Sequence, residues 1–239
     1  MSRKILITGA SSDIGLAICE KVIREGDFVI LQCWKHQEKC IPVQKKLGAS
    51  CQIVAVDFTN LGQLEEFCTT LSDVDLLINA AAATITDLLV NLTDEQIDAM
   101  LSVNLLALIK ICQVVLPGMV ARRNGIIVNI SSIAARRGNR GQTVYAGTKG
   151  FVEAFTRSLA AEYGKRHIRI NCVAPGPIKA GSLHELLGYA ADEVKQSLSS
   201  PRLGEPRDVA AAVAFLCSAE AEFINGARLS VDGGFCRGV

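Results

Sequence analysis

Tyr145 and Lys149 have the side chains and the spacing needed to transfer a proton. If a helix begins near Val144, the two share one helical face, because residues four apart are neighbours on a helix surface. An ammonium beside a phenol favours the phenolate, so the pair predicts a Tyr145 pKa below the usual value of about 10. Tyr145 is therefore a candidate proton donor near neutral pH, although an ordinary surface pair has the same spacing.

Ser132 is a second candidate for the same chemistry. It follows the apolar run 126–130, whose composition predicts a buried strand. A serine at the end of that strand can hydrogen-bond the substrate oxygen that the tyrosine protonates. The strand end and the start of the tyrosine helix must then be held close together, which requires a particular scaffold.

Length and composition predict one domain over residues 1–239. With 239 residues and 49% hydrophobic content, the chain can bury a large single core. Its 25 basic and 24 acidic residues leave a formal net charge of +1. This balance gives no basic surface for nucleic acid and favours a small or locally charged partner.

The cysteines and the N-terminus bear on where the protein works. Nine cysteines are scattered along the chain, and no pair has the two-residue spacing of a metal or redox site. We therefore expect no metal and a reducing cytosol. The chain shows no signal-peptide pattern and no apolar run as long as a membrane span, so we expect a soluble, cytoplasmic protein with no membrane partner.

Short β-branched runs alternate with segments of helical period. The predicted strands are 4–8, 28–32, 51–56, 76–79, 125–130, 168–173 and 227–231. The predicted helices are 15–25, 37–47, 61–71, 93–122, 144–164 and 205–216. Near-continuous apolar strands that alternate with helices predict an α/β fold with a parallel sheet covered on both faces.

The turn 8–15 joins the first predicted strand to the first predicted helix and is rich in glycine and serine. Gly9 and Gly15 permit a tight turn and a close approach to a pyrophosphate. The helix N-terminus then presents free N–H groups to that anion. Such a turn alone is a weak sign of a dinucleotide site, but here it is the first turn of an alternating α/β chain.

These features together resemble the short-chain dehydrogenase/reductase family over essentially the whole chain. The family fingerprint Thr-Gly-x-x-x-Gly-x-Gly is matched by Thr8, Gly9 and Gly15, while Asp13 replaces the middle glycine. The resemblance implies a single Rossmann domain with a doubly wound, mostly parallel seven-stranded sheet. A carboxylate at position 13 either caps the helix or crowds and repels the cofactor phosphates.

The resemblance also implies a catalytic tetrad of Asn104, Ser132, Tyr145 and Lys149. Tyr145 would protonate the carbonyl oxygen as hydride arrives from the nicotinamide, and Ser132 would hold that oxygen. Lys149 would bind the nicotinamide ribose and lower the tyrosine pKa. Asn104 follows a capping-box pattern at 93–96 and would support a water that relays protons to the lysine, although a buried asparagine more often satisfies backbone groups.

The end of the second predicted strand bears on which nicotinamide cofactor is used. An acidic residue there would bind the ribose 2′-hydroxyl and repel a 2′-phosphate. This chain instead has Trp34, Lys35 and His36. Lys35 is suited to neutralise a 2′-phosphate and Trp34 to pack near adenine, so NADP(H) is favoured over NAD(H). The alternative is a solvated helix start.

The other cofactor contacts follow from matched family positions. The full set is Thr8, Gly9, Ser11, Ser12, Ile14, Gly15, Trp34, Lys35, Asp57, Phe58, Asn79, Ala80, Ala81, Tyr145, Lys149, Pro175, Gly176 and Ile178. In this set Asp57 and Phe58 match the position that contacts adenine. Two departures stand near it: Ala82 lacks the freedom of glycine, and Ala180 replaces a threonine for which Ser182 is a substitute. A substrate lid is expected at about 178–200.

Within the family, the chain is most like 3-oxoacyl-[acyl-carrier-protein] reductases, by the segments 202–206 and 224–234. Arg123 and Arg166 fall where such reductases dock the acidic acyl carrier protein, although they are equally read as solvated charges at helix ends. A homotetramer is expected. Alternatives are a relative that acts on an acyl-CoA, free ketone, sugar or steroid alcohol, and a non-catalytic dinucleotide sensor. The sensor would explain the irregular turns but not the complete tetrad.

Overall fold

A computed structural model describes residues 2–181 and 198–236 of the chain. The strands are β1 Lys4–Thr8, β2 Phe28–Cys33, β3 Cys51–Ala55, β4 Leu76–Asn79, β5 Gly125–Ile130, β6 Ile168–Pro175 and β7 Arg228–Val231. The helices are α1 Asp13–Val22, α2 Ile41–Leu47, α3 Leu61–Thr69, α4 Asp94–Leu101, α5 Ala107–Arg122, α6 Thr143–Tyr163 and α7 Pro206–Leu216.

These strands form one seven-stranded sheet in the order β3-β2-β1-β4-β5-β6-β7, with every neighbouring pair parallel. The predicted α/β fold is therefore confirmed. Most predicted boundaries lie within one to three residues of the observed ones, but β6 extends two residues further, through Pro175. The register of β6 with β7 pairs Pro175 with Val231, which accounts for this extension.

Two apolar layers cover the faces of the sheet, as the alternation predicts. One face packs against α1 and α7 through side chains such as Ile18, Val22 and Val213. The other packs against α3, α5 and α6 through side chains such as Phe67 and Ile111. Because both faces are covered, we expect the binding site at the ends of the strands, where open α/β sheets bind their ligands.

The long helix predicted at 93–122 is continuous in the structure, but its hydrogen-bond pattern changes in the middle. The predicted capping box is present, since the Thr93 hydroxyl accepts from Gln96 N and the Gln96 side chain accepts from Thr93 N. Between α4 and α5, the turn Ser102–Leu106 is a π-helix. Such turns often mark functional sites, and this one contains Asn104.

This same segment, Asp94–Arg122, has 29 residues and is long and apolar enough to cross a membrane by length and composition alone. The expectation that no apolar run reaches that length is therefore wrong. Many of its apolar side chains, including Ile111, Cys112 and Val115, are buried against the sheet. Core helices of large α/β domains can be equally long and apolar, because they are apolar on most of their surface.

Candidate active site

The carboxyl ends of β1 and β4 meet where the strand order reverses, which is where ligands bind in open α/β sheets. The buried Thr8 hydroxyl accepts from Ala80 N at 3.1 Å and from Ala81 N at 3.2 Å. Gly9 has φ of +65°, and a Cβ there would lie 2.7 Å from the Ala81 backbone. Only glycine therefore fits this crossing of the two turns.

Ser12 shapes the start of α1. Its hydroxyl accepts from Gly15 N at 3.0 Å and donates to Gly9 O at 2.8 Å. A Cβ at Gly15 would lie 2.3 Å from that carbonyl, so the turn closes only with glycine there. The N–H groups of Asp13 and Ile14 have no acceptor in the described part of the chain, and such free donors at a helix start suit a phosphate.

Asp13 does not cap the helix, because Ser12 already does so. Its exposed carboxylate instead accepts from Gly181 N at 3.2 Å. The fingerprint departure therefore links the first turn to the segment that follows β6. Of the residues expected beyond that point, Ser182 and most of the proposed lid lie outside the described residues.

The end of β2 brings Lys35 beside the glycine turn. The Ser11 hydroxyl donates to Lys35 O at 2.8 Å, and the Lys35 ammonium lies 3.9 Å from the centroid of the exposed Trp34 ring. This is a cation–π contact. His36 is instead 3.2 Å from the Glu38 carboxylate, so Lys35 is better placed than His36 to meet an added anion.

Asp57 and Phe58, which match the family position that contacts adenine, differ in their exposure. The Asp57 carboxylate accepts from Thr59 N at 2.9 Å and from the Thr59 hydroxyl at 2.7 Å, and the residue stays partly exposed. The Phe58 ring is buried, with its centroid 6.2 Å from that of Phe67. The Phe58 ring is therefore part of the core, so any contact of this residue with adenine would have to come from its backbone.

Asn79 supports the site from within the fold. Its amide donates to Asn129 Oδ1 at 2.9 Å, and the Asn129 amide donates to the Thr156 hydroxyl at 2.9 Å. These buried side chains join β4, β5 and α6, and breaking such a chain leaves unsatisfied polar groups. Beyond Asn79, Ala82 keeps an ordinary backbone conformation without positive φ, so this turn does not need a glycine.

Lys149 lies on the same face of α6 as Tyr145, as the spacing predicts. Its ammonium is buried, donates to Ile130 O at 2.9 Å and lies 5.7 Å from the centroid of the Tyr145 ring. Burial lowers the pKa of Lys149 to about 8, because a dry site disfavours the charged form. The lysine is thus able to exchange a proton near neutral pH.

The Tyr145 pKa moves in the direction opposite to the prediction. Burial of the hydroxyl raises the pKa of Tyr145, while the hydroxyls of Ser132 and Thr84 favour ionisation and partly oppose the rise. The ammonium of Lys149 does not reverse it, since that group is directed at Ile130 O. Tyr145 is therefore protonated at neutral pH, which a proton donor requires.

Two hydroxyls converge on this phenol. Ser132, at the end of β5, caps the short 3₁₀ turn Ile133–Ala135, with its hydroxyl accepting from Ala134 N at 3.1 Å. Thr84 comes from the loop after β4 and was not anticipated. Its only sequence signal is its position just after the carboxyl end of a central strand.

Asn104 holds the loop after β4 against α6. Its Oδ1 accepts from Ala83 N at 2.8 Å, and its Nδ2 donates to Ala83 O at 2.9 Å and to the Thr148 hydroxyl at 3.0 Å. Asn104 and Lys149 also line a cavity of about 10 Å³. That volume is about the space needed for one water molecule.

The turn after β6 completes this edge of the sheet. Gly176 N donates to Val231 O at 3.0 Å, and a Cβ at Gly176 would lie 2.5 Å from Asp232 Cβ. Pro175 and Ile178 are both buried, so their side chains shape the turn from beneath. Ala180 donates its N–H to Ile178 O at 2.7 Å and extends the same turn.

Arg123 and Arg166 do not lie at the carboxyl ends of the strands, where the other candidate residues meet. They directly follow α5 and α6 and precede β5 and β6, so they lie at the amino edge of the sheet. Both are exposed, and Arg123 Nη2 donates to Lys165 O at 3.3 Å. Eight residues, 124–131, separate Arg123 from Ser132, and the six that form β5 alone span about 20 Å.

Metal ligands and reactive thiols do not form part of this site. Over residues 2–181 and 198–236, no group of three or more His, Cys, Asp or Glu side chains is placed to hold a metal ion. All nine cysteines are free thiols, and eight are buried. Burial raises the pKa of Cys112 to about 12, so this thiol stays protonated and unreactive.

Comparison with known proteins points to one class of enzyme. Residues 9–236 match a family model described as enoyl-(acyl carrier protein) reductase. The chain is 34% identical to the 3-oxoacyl-[acyl-carrier-protein] reductase FabG of Vibrio harveyi, over 96% of this chain and 95% of that protein. A solved short chain dehydrogenase/reductase family protein has a TM-score of 0.87 and 32% identity, and covers 97% of this chain and 96% of its own.

A second solved structure resembles the chain equally well in backbone. It is described as an NAD(P)-dependent gluconate 5-dehydrogenase from Beutenbergia cavernae with bound NADP at low occupancy. The TM-score is 0.90 at 28% identity, over 98% of this chain and 96% of that one. The agreement covers nearly the full length of both chains.

The burial of Lys149 predicts a pH-dependent gain in stability when the charge is removed. At pH 7 we expect Lys149→Met to raise the free energy of unfolding by roughly 1 to 3 kcal/mol. From pH about 8 to 10.5 the gain should shrink, since native Lys149 loses its proton there while the unfolded chain keeps it. Urea unfolding against pH measures this, with the exposed Lys46→Met as control. A gain that does not vary with pH would contradict the assignment.

Proposed function

The chain belongs to the short-chain dehydrogenase/reductase family, and we propose that it reduces a 3-oxoacyl thioester carried by acyl carrier protein, with NADPH as hydride donor. Family membership makes it an oxidoreductase that uses a nicotinamide dinucleotide. The observation that carries the proposal is the convergence of Tyr145, Ser132 and Lys149 at the carboxyl edge, beside the glycine turn.

In the proposed reaction, a bound reduced nicotinamide would supply the hydride that the carbonyl carbon of the substrate accepts. The Tyr145 hydroxyl gives its proton to the carbonyl oxygen, so that the ketone becomes a secondary alcohol. The Ser132 hydroxyl donates a hydrogen bond to the same oxygen and orients the carbonyl. Because burial keeps Tyr145 protonated, the donor is in its working form at neutral pH.

Lys149 is proposed to hold the nicotinamide ribose and to restore the tyrosine proton. Its pKa of about 8 lets it release a proton at modest cost after each turnover. The water-sized cavity that it shares with Asn104 gives a place for the relay water. The Asn104 amide itself bonds Ala83 and Thr148, so we propose that it acts by positioning that cavity.

NADP(H) is the proposed cofactor for four reasons. The end of β2 carries no acid at 32–36, Lys35 is held beside the glycine turn, and the free N–H groups of the α1 start suit a phosphate. A structural relative is described with bound NADP. Lys35 would pair with the 2′-phosphate, and the exposed Trp34 ring would pack near the adenine.

The carrier-docking role of Arg123 and Arg166 is proposed with a geometric condition. Both arginines lie at the amino ends of the strands, opposite the candidate site, and Arg123 is about 20 Å from Ser132 along β5. A carrier protein docked there must therefore either extend its thioester arm over that distance or serve the site of a neighbouring copy. An assembly of copies is part of the proposal, and the exposed Phe215 and Phe223 side chains support it.

Oxidation or reduction at a sugar acid is the second candidate. The gluconate 5-dehydrogenase relative favours it. Arg140 favours it too, because it is exposed in the loop between Ser132 and Tyr145 and forms no ion pair with residues 2–181 or 198–236. A guanidinium at that position suits a substrate carboxylate. The two candidates differ in whether the substrate carries a thioester or a carboxylate.

The direct test is NADPH oxidation by purified protein with an acetoacetyl thioester on acyl carrier protein, on coenzyme A and on a minimal thiol. We expect carrier-bound substrate to give the highest kcat/KM. Arg123→Glu and Arg166→Glu should each lower kcat/KM for that substrate about 10-fold while leaving the minimal thioester unaffected, because only the carrier is acidic. The exposed Lys46→Glu is the matched control.

The other outcomes of this test separate the two candidates. Equal rates on all three thioesters would contradict carrier docking but not thioester reduction. No turnover of any thioester, together with NADPH-dependent turnover of a keto sugar acid, would contradict the proposed substrate and favour the second candidate.

Lys35→Glu tests the cofactor assignment. Replacing the cation by an acid should lower the NADPH over NADH preference in kcat/KM by about 10- to 100-fold, since a charge-assisted phosphate contact is lost and repulsion replaces it. Steady-state rates with both cofactors measure this. Lys39→Glu, a charge reversal at an exposed site in the same segment, is the control. An unchanged preference in Lys35→Glu would show that the lysine is only a solvated surface group.

A further inference from the structure

A buried carboxylate lies one turn beyond Lys149 on α6. Glu153 is four residues from Lys149 and eight from Tyr145, so the three share one helical face. Its side chain is only 5% exposed. A carboxylate in such a place is unfavourable unless charged partners surround it, and here two arginines do so.

The two arginines come from different elements. Arg136, in the loop after β5, donates Nε to Glu153 Oε2 at 2.9 Å, and Arg228, on β7, donates Nε to Oε1 at 2.6 Å. The Arg228 side chain is 10% exposed, and its buried Nη2 has no acceptor among the described residues. Glu153 is therefore the sole carboxylate that compensates the Arg228 charge in this part of the structure.

The Glu153 carboxylate is connected to the chain both before and after Ser132. On the N-terminal side, the Ser131 hydroxyl lies 3.4 Å from Glu153 Oε1 and donates to Lys149 O at 3.2 Å. On the C-terminal side, Arg136 N donates to Ile133 O at 3.0 Å, which ties the arginine to the turn that Ser132 caps. The chain is thus fixed to Glu153 immediately before Ser132 and four residues after it.

We infer that Glu153 is a positioning residue, which with Arg136 and Arg228 holds the Ser132 hydroxyl at the Tyr145 phenol. We assign it no contact with substrate or cofactor, and it acts through the loop that carries Ser132. This inference rests on the proposed reduction for its effect on turnover. Its effect on the Ser132 and Tyr145 contact can be read without any turnover.

The test uses Glu153→Gln, which keeps the shape and removes the charge. We expect kcat to fall about 10- to 100-fold, because a displacement of about 1 Å at a reacting group has an effect of that size. The dissociation constant for NADPH should stay unchanged, since the glycine turn and Lys35 are not part of the cluster. Arg136→Met, which removes the more exposed arm, should show a smaller loss in the same direction.

A readout independent of activity is the resonance of Tyr145 in protein labelled with carbon-13 at the tyrosine ring Cζ, assigned with Tyr145→Phe. Ser132→Ala shows how the resonance responds when the serine hydroxyl is lost. Glu153→Gln and Arg136→Met should move it in that same direction. Glu65→Gln removes an exposed carboxylate that pairs with Lys110 and should leave both kcat and the resonance unchanged.

The possible results are distinct. If Glu153→Gln and Arg136→Met lower only the unfolding temperature and leave kcat and the resonance as in the original chain, the inference is overturned. If Glu153→Gln does not fold, Arg136→Met alone decides by the same two readouts. If the original chain reduces no thioester, the proposed function has failed, and the resonance still shows whether Glu153 positions Ser132.

Discussion

Burial of the Lys149 ammonium is the constraint on which the rest of the site depends. A charge in the core is tolerated only where an acceptor is fixed for it, and here the acceptor is Ile130 O at the end of β5. Helix α6 must therefore be held firmly against that strand end. The buried amides of Asn79 and Asn129, together with Thr156, provide this by joining two strands to the helix. The lowered lysine pKa is the result, and it gives the site a group that exchanges protons near neutrality.

The fold and the shared helical face of Tyr145 and Lys149 follow from sequence patterns because both have short-range causes, whereas Asn104 and Ser132 were assigned from the family resemblance. Alternating apolar strands and helices impose a parallel sheet, and the spacing of Tyr145 and Lys149 puts them on one helical face whatever surrounds them. The pKa of Tyr145 could not be predicted in this way, since it depends on how deeply the hydroxyl is buried and where the ammonium points. Thr84 was missed for the same reason, because only packing decides which side chains reach a site.

The residues that depart from the family pattern are accommodated by their immediate neighbours. Ser12 caps α1, so Asp13 is free to bond Gly181, and Ala82 occupies a turn that does not require positive φ. Arg123 and Arg166 are a different case. Their match to family positions predicted a docking role, but the topology puts both at the amino ends of the strands, away from the site. A match in sequence position fixes where a residue lies in the fold. It does not fix which surface a partner uses, since that depends on neighbouring copies and on the reach of the substrate.

The central claim is that Tyr145 donates the proton, and Tyr145→Phe in a single-turnover experiment with prebound NADPH tests it most directly. The ring fills the same space, so the variant should fold and bind NADPH like the original chain. The rate of NADPH oxidation on adding the thioester should fall about 100- to 10,000-fold, the range associated with loss of a general acid. Oxidation at a rate close to that of the original chain would show that another group or water supplies the proton, and would contradict the account.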